Sequence, residues 1–249
     1  MIGRAVANEF AKMRGLRVAA VAGTLIACTA GLSLLTAVTA PAFADPAGER
    51  SWEPLLASMA LAVPLASPVL LAVLASRQVD IEHRGGGWLL SQTSGITPGR
   101  LCRIKFAALG CVVSAATALQ SLLLIGAGVL LGVAAPVPVG AWAGYTASVA
   151  VVNLVLLALH VLVSARVDNQ LVGLGLGVLG SVLAATATGL PPWLAHTFPW
   201  GYYALATAAD YRDGALVMLA PDHSAVAALG AAGAALFLLA TALFDRRED

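Results

Sequence analysis

Charge is what this sequence has least of. Among 249 residues there are 14 Lys or Arg and 13 Asp or Glu, 11% together, against about 25% in an ordinary soluble domain. A water-soluble fold of this length needs more polar surface than that, and an apolar helical globule would leave large hydrophobic patches in water. With 59% hydrophobic residues and a mean hydropathy of +0.88, the chain reads as an integral membrane protein. Net charge is only +1, so the basic excess expected of a nucleic-acid-binding domain is missing. Cysteine is scarce as well. Cys28, Cys102 and Cys111 form no C-x-x-C pair, which argues against the usual zinc and redox sites. Cys28 and Cys111 fall in apolar runs and are expected to be small core residues.

Chemical motifs are also lacking. The chain holds no G-x-x-x-x-G-K-[ST] and no H-E-x-x-H, so neither a P-loop nor a zincin site is present. A formal G-x-G-x-x-G occurs in "GLGLGVLG", residues 173–180, but inside an apolar run, without the strand and helix start a dinucleotide site requires. Gly173 and Gly177, like Gly128/Gly132 and Gly140/Gly144, have instead the small-x-x-x-small spacing that lets two membrane helices approach closely.

What is present is a set of six apolar stretches, at 18–40, 55–75, 106–133, 142–163, 171–189 and 224–244, each near the ~20 residues needed to cross a bilayer. The third is long enough to tilt, and Pro64 and Pro68 predict a kink in the second. None contains Asp or Glu, which argues against proton coupling of the usual kind. With the N-terminus inside, the inner segments hold Arg4, Lys12, Arg14, Arg17, Arg77, Arg84, Arg100, Arg103, Lys105, Arg166, Arg246 and Arg247, and the outer ones only Arg50 and Arg212. Twelve against two sets both ends in the cytoplasm. Trp52, Trp142, Trp193, Trp200, Tyr202 and Tyr203 then fall near the outer interface, as an aromatic belt would. The run "TAPAFADP" (39–46) resembles a signal-peptide cleavage site, but the preceding apolar run is longer than a signal peptide's core, and an uncleaved first span is favoured.

The start "MIGRAVANEFAKMRGLR" places Ile2, Val6, Phe10 and Met13 at helical spacing among Arg4, Asn8, Lys12 and Arg14, the pattern of an amphipathic interfacial helix over 1–17. The inner connection 76–105 is the longest on its side. Near-helical spacing in 77–91, a glycine run Gly85–Gly86–Gly87, and then Thr97 and Pro98, suited to an N-cap and a first helical position, predict a short helix, a break and a new helix. Polar residues inside spans are few. Gln120 and Asn153 are candidates for lining a translocation path, with an interhelical hydrogen bond the plainer expectation. His160 lies near the inner end of its span, and pairing with His196 for haem would put the two histidines on opposite sides.

The inner connection carries an ordered pattern: Glu82, six positions on Trp88, then Leu89–Leu90, Pro98–Gly99–Arg100 and Lys105. It resembles the loop between the second and third spans of type-2 ATP-binding-cassette permeases, and is most similar to the short permeases associated with lantibiotic export or immunity and with antibiotic resistance. The rest of the chain fits the same order, from a basic start with Glu9 and Lys12, through six spans, to a long segment before the last. One departure is Gly87, where many relatives have threonine.

The resemblance implies an all-α integral membrane fold: a single transmembrane domain, 1–249, with six spans, an N-terminal interfacial helix (1–17), a cytoplasmic coupling helix in the 76–105 loop, and an extracellular segment (190–223) of short helices. It implies that Glu82, His83, Arg84, Gly87, Trp88, Leu89, Leu90, Arg100 and Lys105 form a docking element for a separate cytoplasmic ATPase subunit. ATP and Mg would bind that partner, with no cofactor, metal or catalytic residue on this chain. A second permease, identical or not, would complete a dimer in a bacterial cell membrane. Two other readings stay open: a six-span membrane enzyme or cofactor-binding anchor, and a secondary transporter.

Overall fold

The computed structural model describes residues 2–43 and 48–246. Positions 44–46 of the cleavage-like run, and Arg247 of the inner basic set, lie outside the described residues, as do the side chains of Ile2 and Arg4. Ten α-helices are described: α1 (Ile2–Gly15), α2 (Val18–Thr39), α3 (Glu53–Arg84), α4 (Gly87–Thr93), α5 (Pro98–Leu130), α6 (Val139–Arg166), α7 (Gln170–Thr186), α8 (Pro192–Ala195), α9 (Tyr202–Ala206) and α10 (His223–Asp245). Six helical segments are long and apolar enough to cross a membrane: α2, α3, α5, α6, α10, and α7 together with the turn that continues it to Gly189. The chain is therefore a multi-pass, predominantly α-helical membrane protein.

Helix α3 is the centre of the bundle. It packs against α2, α6 and α7, and 72% of its apolar span is buried, against 17% for α10 at the periphery. Leu55, Leu56, Met59, Leu71 and Leu74 of α3 meet Leu109 of α5 and Leu156 and Leu157 of α6 in one core. Gly177 lets α7 approach α3 closely, since a methyl group there would stand 2.7 Å from the Ala72 Cβ and 3.0 Å from the Pro68 carbonyl.

Helix ends depart from the apolar boundaries in a consistent way. Despite Pro64 and Pro68, α3 continues as one helix of 32 residues, about 48 Å at 1.5 Å per residue. That exceeds a hydrocarbon core of about 30 Å, so the last turns, with Arg77, Asp80 and Glu82, emerge from the apolar span still helical. The helix breaks at Gly85–Gly86, and a second break at 94–97 separates α4 from α5. Pro98 does begin α5, with Thr97 at the N-cap, but the threonine side chain makes no capping bond. Asp245 supplies one from a distance, its Oδ1 accepting from the Gly99 N–H at 2.8 Å. Arg103 reinforces this clamp, donating to Asp245 and to the Thr241 hydroxyl at 3.1 Å each.

The segment after α7 is not all helical. Short helical turns are followed by an antiparallel hairpin, β1 (Ala209–Arg212) and β2 (Ala215–Met218), paired from Ala209↔Met218 to Arg212↔Ala215. Asp213 and Gly214, at φ 52° and 78°, form the two-residue turn, whose twist matches that of paired strands. The aromatic belt also turns inward at this end. Trp52, Trp142 and Tyr203 are buried, Trp52 Nε1 donates to the Ala135 carbonyl at 2.8 Å, and Trp193 is the exposed indole. Cys28 and Cys111 face outward from the bundle, and Cys102 is the buried thiol. A small apolar residue on an outward face is already matched to lipid, so burial is not required of it.

Candidate functional site

Four charges from three distant segments meet at the basic end of the bundle. Lys105, in the second turn region of α5, is fully buried. Its ammonium donates to Glu9 at 2.8 Å, to Glu82 at 2.7 Å and to the Gln78 carbonyl at 2.9 Å. Lys12 closes the ring, donating to Glu9 and to Glu82 at 2.7 Å each. Gln78 Nε2 donates at 2.8 Å to Glu9 Oε2, the oxygen that Lys105 also holds, while Lys12 is on Oε1. Two carboxylates thus balance two ammonium groups, and every charge has several hydrogen bonds, the condition under which buried ions are tolerated. Burial alone would raise the Glu9 carboxyl. The Lys105 charge, with hydrogen bonds from Lys105, Lys12 and Gln78, outweighs it and holds that carboxyl below the ordinary value. For Lys12, burial would lower the ammonium pKa, but hydrogen bonds to Glu82 and Glu9 hold it above the ordinary value.

This network fixes how α1 docks. The face toward the bundle is Glu9, Lys12 and Met13, with Glu9 and Met13 buried, while Phe10 stays exposed. The helix is therefore held by a polar centre with an apolar residue beside it, and Phe10 points away. An amphipathic reading by hydrophobic residues alone groups Phe10 with Met13 and leaves out Glu9.

The same carboxylate explains the glycine run. Gly86 sits at φ 60°, the left-handed conformation that ends a helix without penalty for glycine. Gly87 opens α4 directly against Glu82. A methyl group there would overlap the Glu82 carboxylate and approach its Cα to 3.0 Å. Glu82, Gly86 and Gly87 are one construction: the chain turns tightly around the side chain that Lys105 and Lys12 hold.

Helix α4 then rides on this base. His83 Nε2 lies 2.9 Å from the Ser164 carbonyl, which only accepts, so Nε2 carries the hydrogen. Nδ1 is left to accept from Trp88 Nε1 at 3.4 Å, with the two rings edge to face at 5.7 Å. The Asp168 carboxylate lies 3.9 Å from Nδ1. Trp88 is half-buried against the core, while Leu89 and Leu90 are 67% and 65% exposed.

The residues grouped from the sequence as one docking element therefore fall into two sets. Glu82 and Lys105 are buried and face each other; Gly87 and His83 hold α4 in place. Leu89, Leu90 and Arg84 are exposed, and Arg100 is half-buried. Arg84 pairs with Asp80 at 2.7 Å. Sequence reading missed Glu9, Lys12 and Gln78 as parts of this site. The signal for Glu9 was available, as a lone acid in a basic, amphipathic stretch.

Gln120 and Asn153 are brought together, lining a cavity of about 20 Å³ with Ser67 and Thr117. Asn153 donates to the Thr117 hydroxyl at 3.0 Å and accepts from the Tyr203 hydroxyl at 2.5 Å. Its polarity is thus met by interhelical hydrogen bonds, and the cavity has room for about one water. His160 is fully buried in α6, with neither ring nitrogen hydrogen-bonded among the described residues. Among the described residues, no three His, Cys, Asp or Glu gather as metal ligands would. No protein-family model matches the chain, and no curated protein matches it.

Proposed function

We propose that the chain is the membrane-spanning subunit of an ATP-binding-cassette exporter, working as a dimer of permeases with two cytoplasmic ATPase subunits. The observation that carries this reading is α4: a short helix with two adjacent exposed leucines, held by Trp88 and His83 on one side and by the buried Glu82–Lys105 network on the other. A solvated loop would have no reason to be braced so firmly. A force-transmitting contact would, because movement of the partner must reach the spans without being lost in a flexible hinge. Glu82 lies in the last turn of α3 and Lys105 in the second turn of α5, so a push on α4 acts on both spans at once.

In this proposal Leu89 and Leu90 enter an apolar groove of the ATPase, with Arg84 and Arg100 at the rim. The uneven split of basic residues supports cytoplasmic ends for the chain. ATP and Mg belong to the partner. The substrate class follows from the resemblance: a peptide antibiotic, a small drug or another lipophilic molecule. Co-purification from native membranes tests the reading. An ATP-binding-cassette ATPase should accompany the tagged chain, and export should stop when that ATPase is deleted. Export that continues without any such subunit would overturn it.

A further inference from the structure

A lateral groove of about 480 Å³ opens at the basic end, between the last turns of α3 and the start of α7, and is closed by Leu16 from the α1–α2 turn. Its floor is apolar, with Leu171 and Leu174 of α7, and its rim carries Arg77, Asp80 and Arg84. Leu171 is 71% exposed and Leu174 37%, so the floor continues into the outward face of a membrane-length helix. Arg77 is exposed and has no ion-pair partner among the described residues. Arg84 gives one N–H, through Nε, to Asp80, and a guanidinium has further donors. Two cations against one anion leave the rim net positive.

We infer that this groove is a binding site for an anionic phospholipid, its phosphate on Arg77 and Arg84 and its acyl chain along Leu171 and Leu174. The two chemistries meet in the order such a lipid requires, with charge at the end of the bundle and the apolar strip running toward its middle. A soluble phosphate would satisfy the rim and leave the floor without a partner. A second copy across a two-fold axis would bring the same net-positive patch against itself. The inference rests on the membrane-spanning character of the chain and not on its pairing with an ATPase.

Native mass spectrometry of the full chain, purified alone in detergent, tests it with added phosphatidylglycerol, phosphatidylcholine or glycerol phosphate. The wild type should retain one phosphatidylglycerol in preference to phosphatidylcholine, and glycerol phosphate should not displace it. The preference should fall about fivefold for each arginine removed in R77Q and R84Q, and R50Q/R212Q, at the opposite end, should keep it. Leu174→Trp, which fills the floor, should lose retention with both arginines in place. Equal retention of the two lipids by the wild type, an unchanged preference in R77Q/R84Q, or displacement by glycerol phosphate would each overturn the site. Because both arginines are exposed, the double variant should fold normally. If it does not, the wild type's preference should still weaken with salt, and a salt-independent preference would count against the rim.

Discussion

Replacing Lys105 by methionine removes the centre of the charge network while nearly keeping its volume. The side chain is fully buried, and the two carboxylates it bridges are only 2% and 3% exposed. After the substitution Glu9 and Glu82 share Lys12 alone, which is 25% exposed. Packing should cost little, since a chain of similar length fills the space. Leaving a buried charge without its partner typically costs about 3–5 kcal/mol, and that is the expected loss. Lys12→Met should cost closer to 1 kcal/mol, because water reaches that ammonium and Lys105 still bridges both carboxylates. Combining Lys105→Met with Glu9→Gln removes one charge of each sign and leaves Lys12 on Glu82, 2.7 Å away. The pair should recover most of the loss. Unfolding in detergent gives the energies, and trypsin cleavage at Lys12 and Arg14 reports release of α1. If Lys105→Met lies within about 1 kcal/mol of the wild type, or if the double variant is less stable than the single one, the network does not hold the helix.

Other expectations follow from the same geometry. Leu89→Asp and Leu90→Asp, being exposed, should leave stability within about 0.5 kcal/mol of the wild type while abolishing co-purification of the ATPase; retained association would remove α4 from the interface. Gly87→Ala forces a methyl group onto the Glu82 carboxylate and should cost about 1–3 kcal/mol, with the α1 release seen for Lys105→Met; an unchanged digestion pattern would contradict the proposed contact. Protection of α1 should also depend on pH in a definite way. Glu9 is held below its ordinary value of 4.5, so its contribution is complete above that value and is lost as pH falls through the lower folded one. Lys12 is raised above 10.5, so its contribution is complete below that value and is lost as pH rises through the higher folded one. Protease resistance should therefore be level between these limits and fall off beyond each of them; a transition near neutrality would point to a histidine instead.

The spans were legible in the sequence because lipid imposes a length and an apolar composition on each of them. Their ends were less so. Hydropathy falls where the bilayer ends, but α3 carries Arg77, Asp80 and Glu82 on in the same helix, since polar residues can extend a helix into water as easily as stop it. The hairpin had a local signal in Asp213–Gly214, between residues able to pair, which expectation of an all-α chain obscured. Glu82, Trp88 and Lys105 were singled out by spacing, yet spacing does not say which way a side chain points. The Glu9–Lys105 pair spans 96 residues, and nothing local connects them. Gly87 shows the same limit: its reason is the volume of Glu82, visible only once the turn brings them together.

Contact between α4 and an ATPase is tested most directly by a photo-crosslinking residue at Leu89 in native membranes. We expect a single major adduct to a polypeptide that carries its own P-loop, lost when ATPase expression is abolished and absent when the probe is moved to Trp193 at the opposite end. Adducts from Leu89 to lipid alone, in membranes where the ATPase is present and export is active, would contradict it.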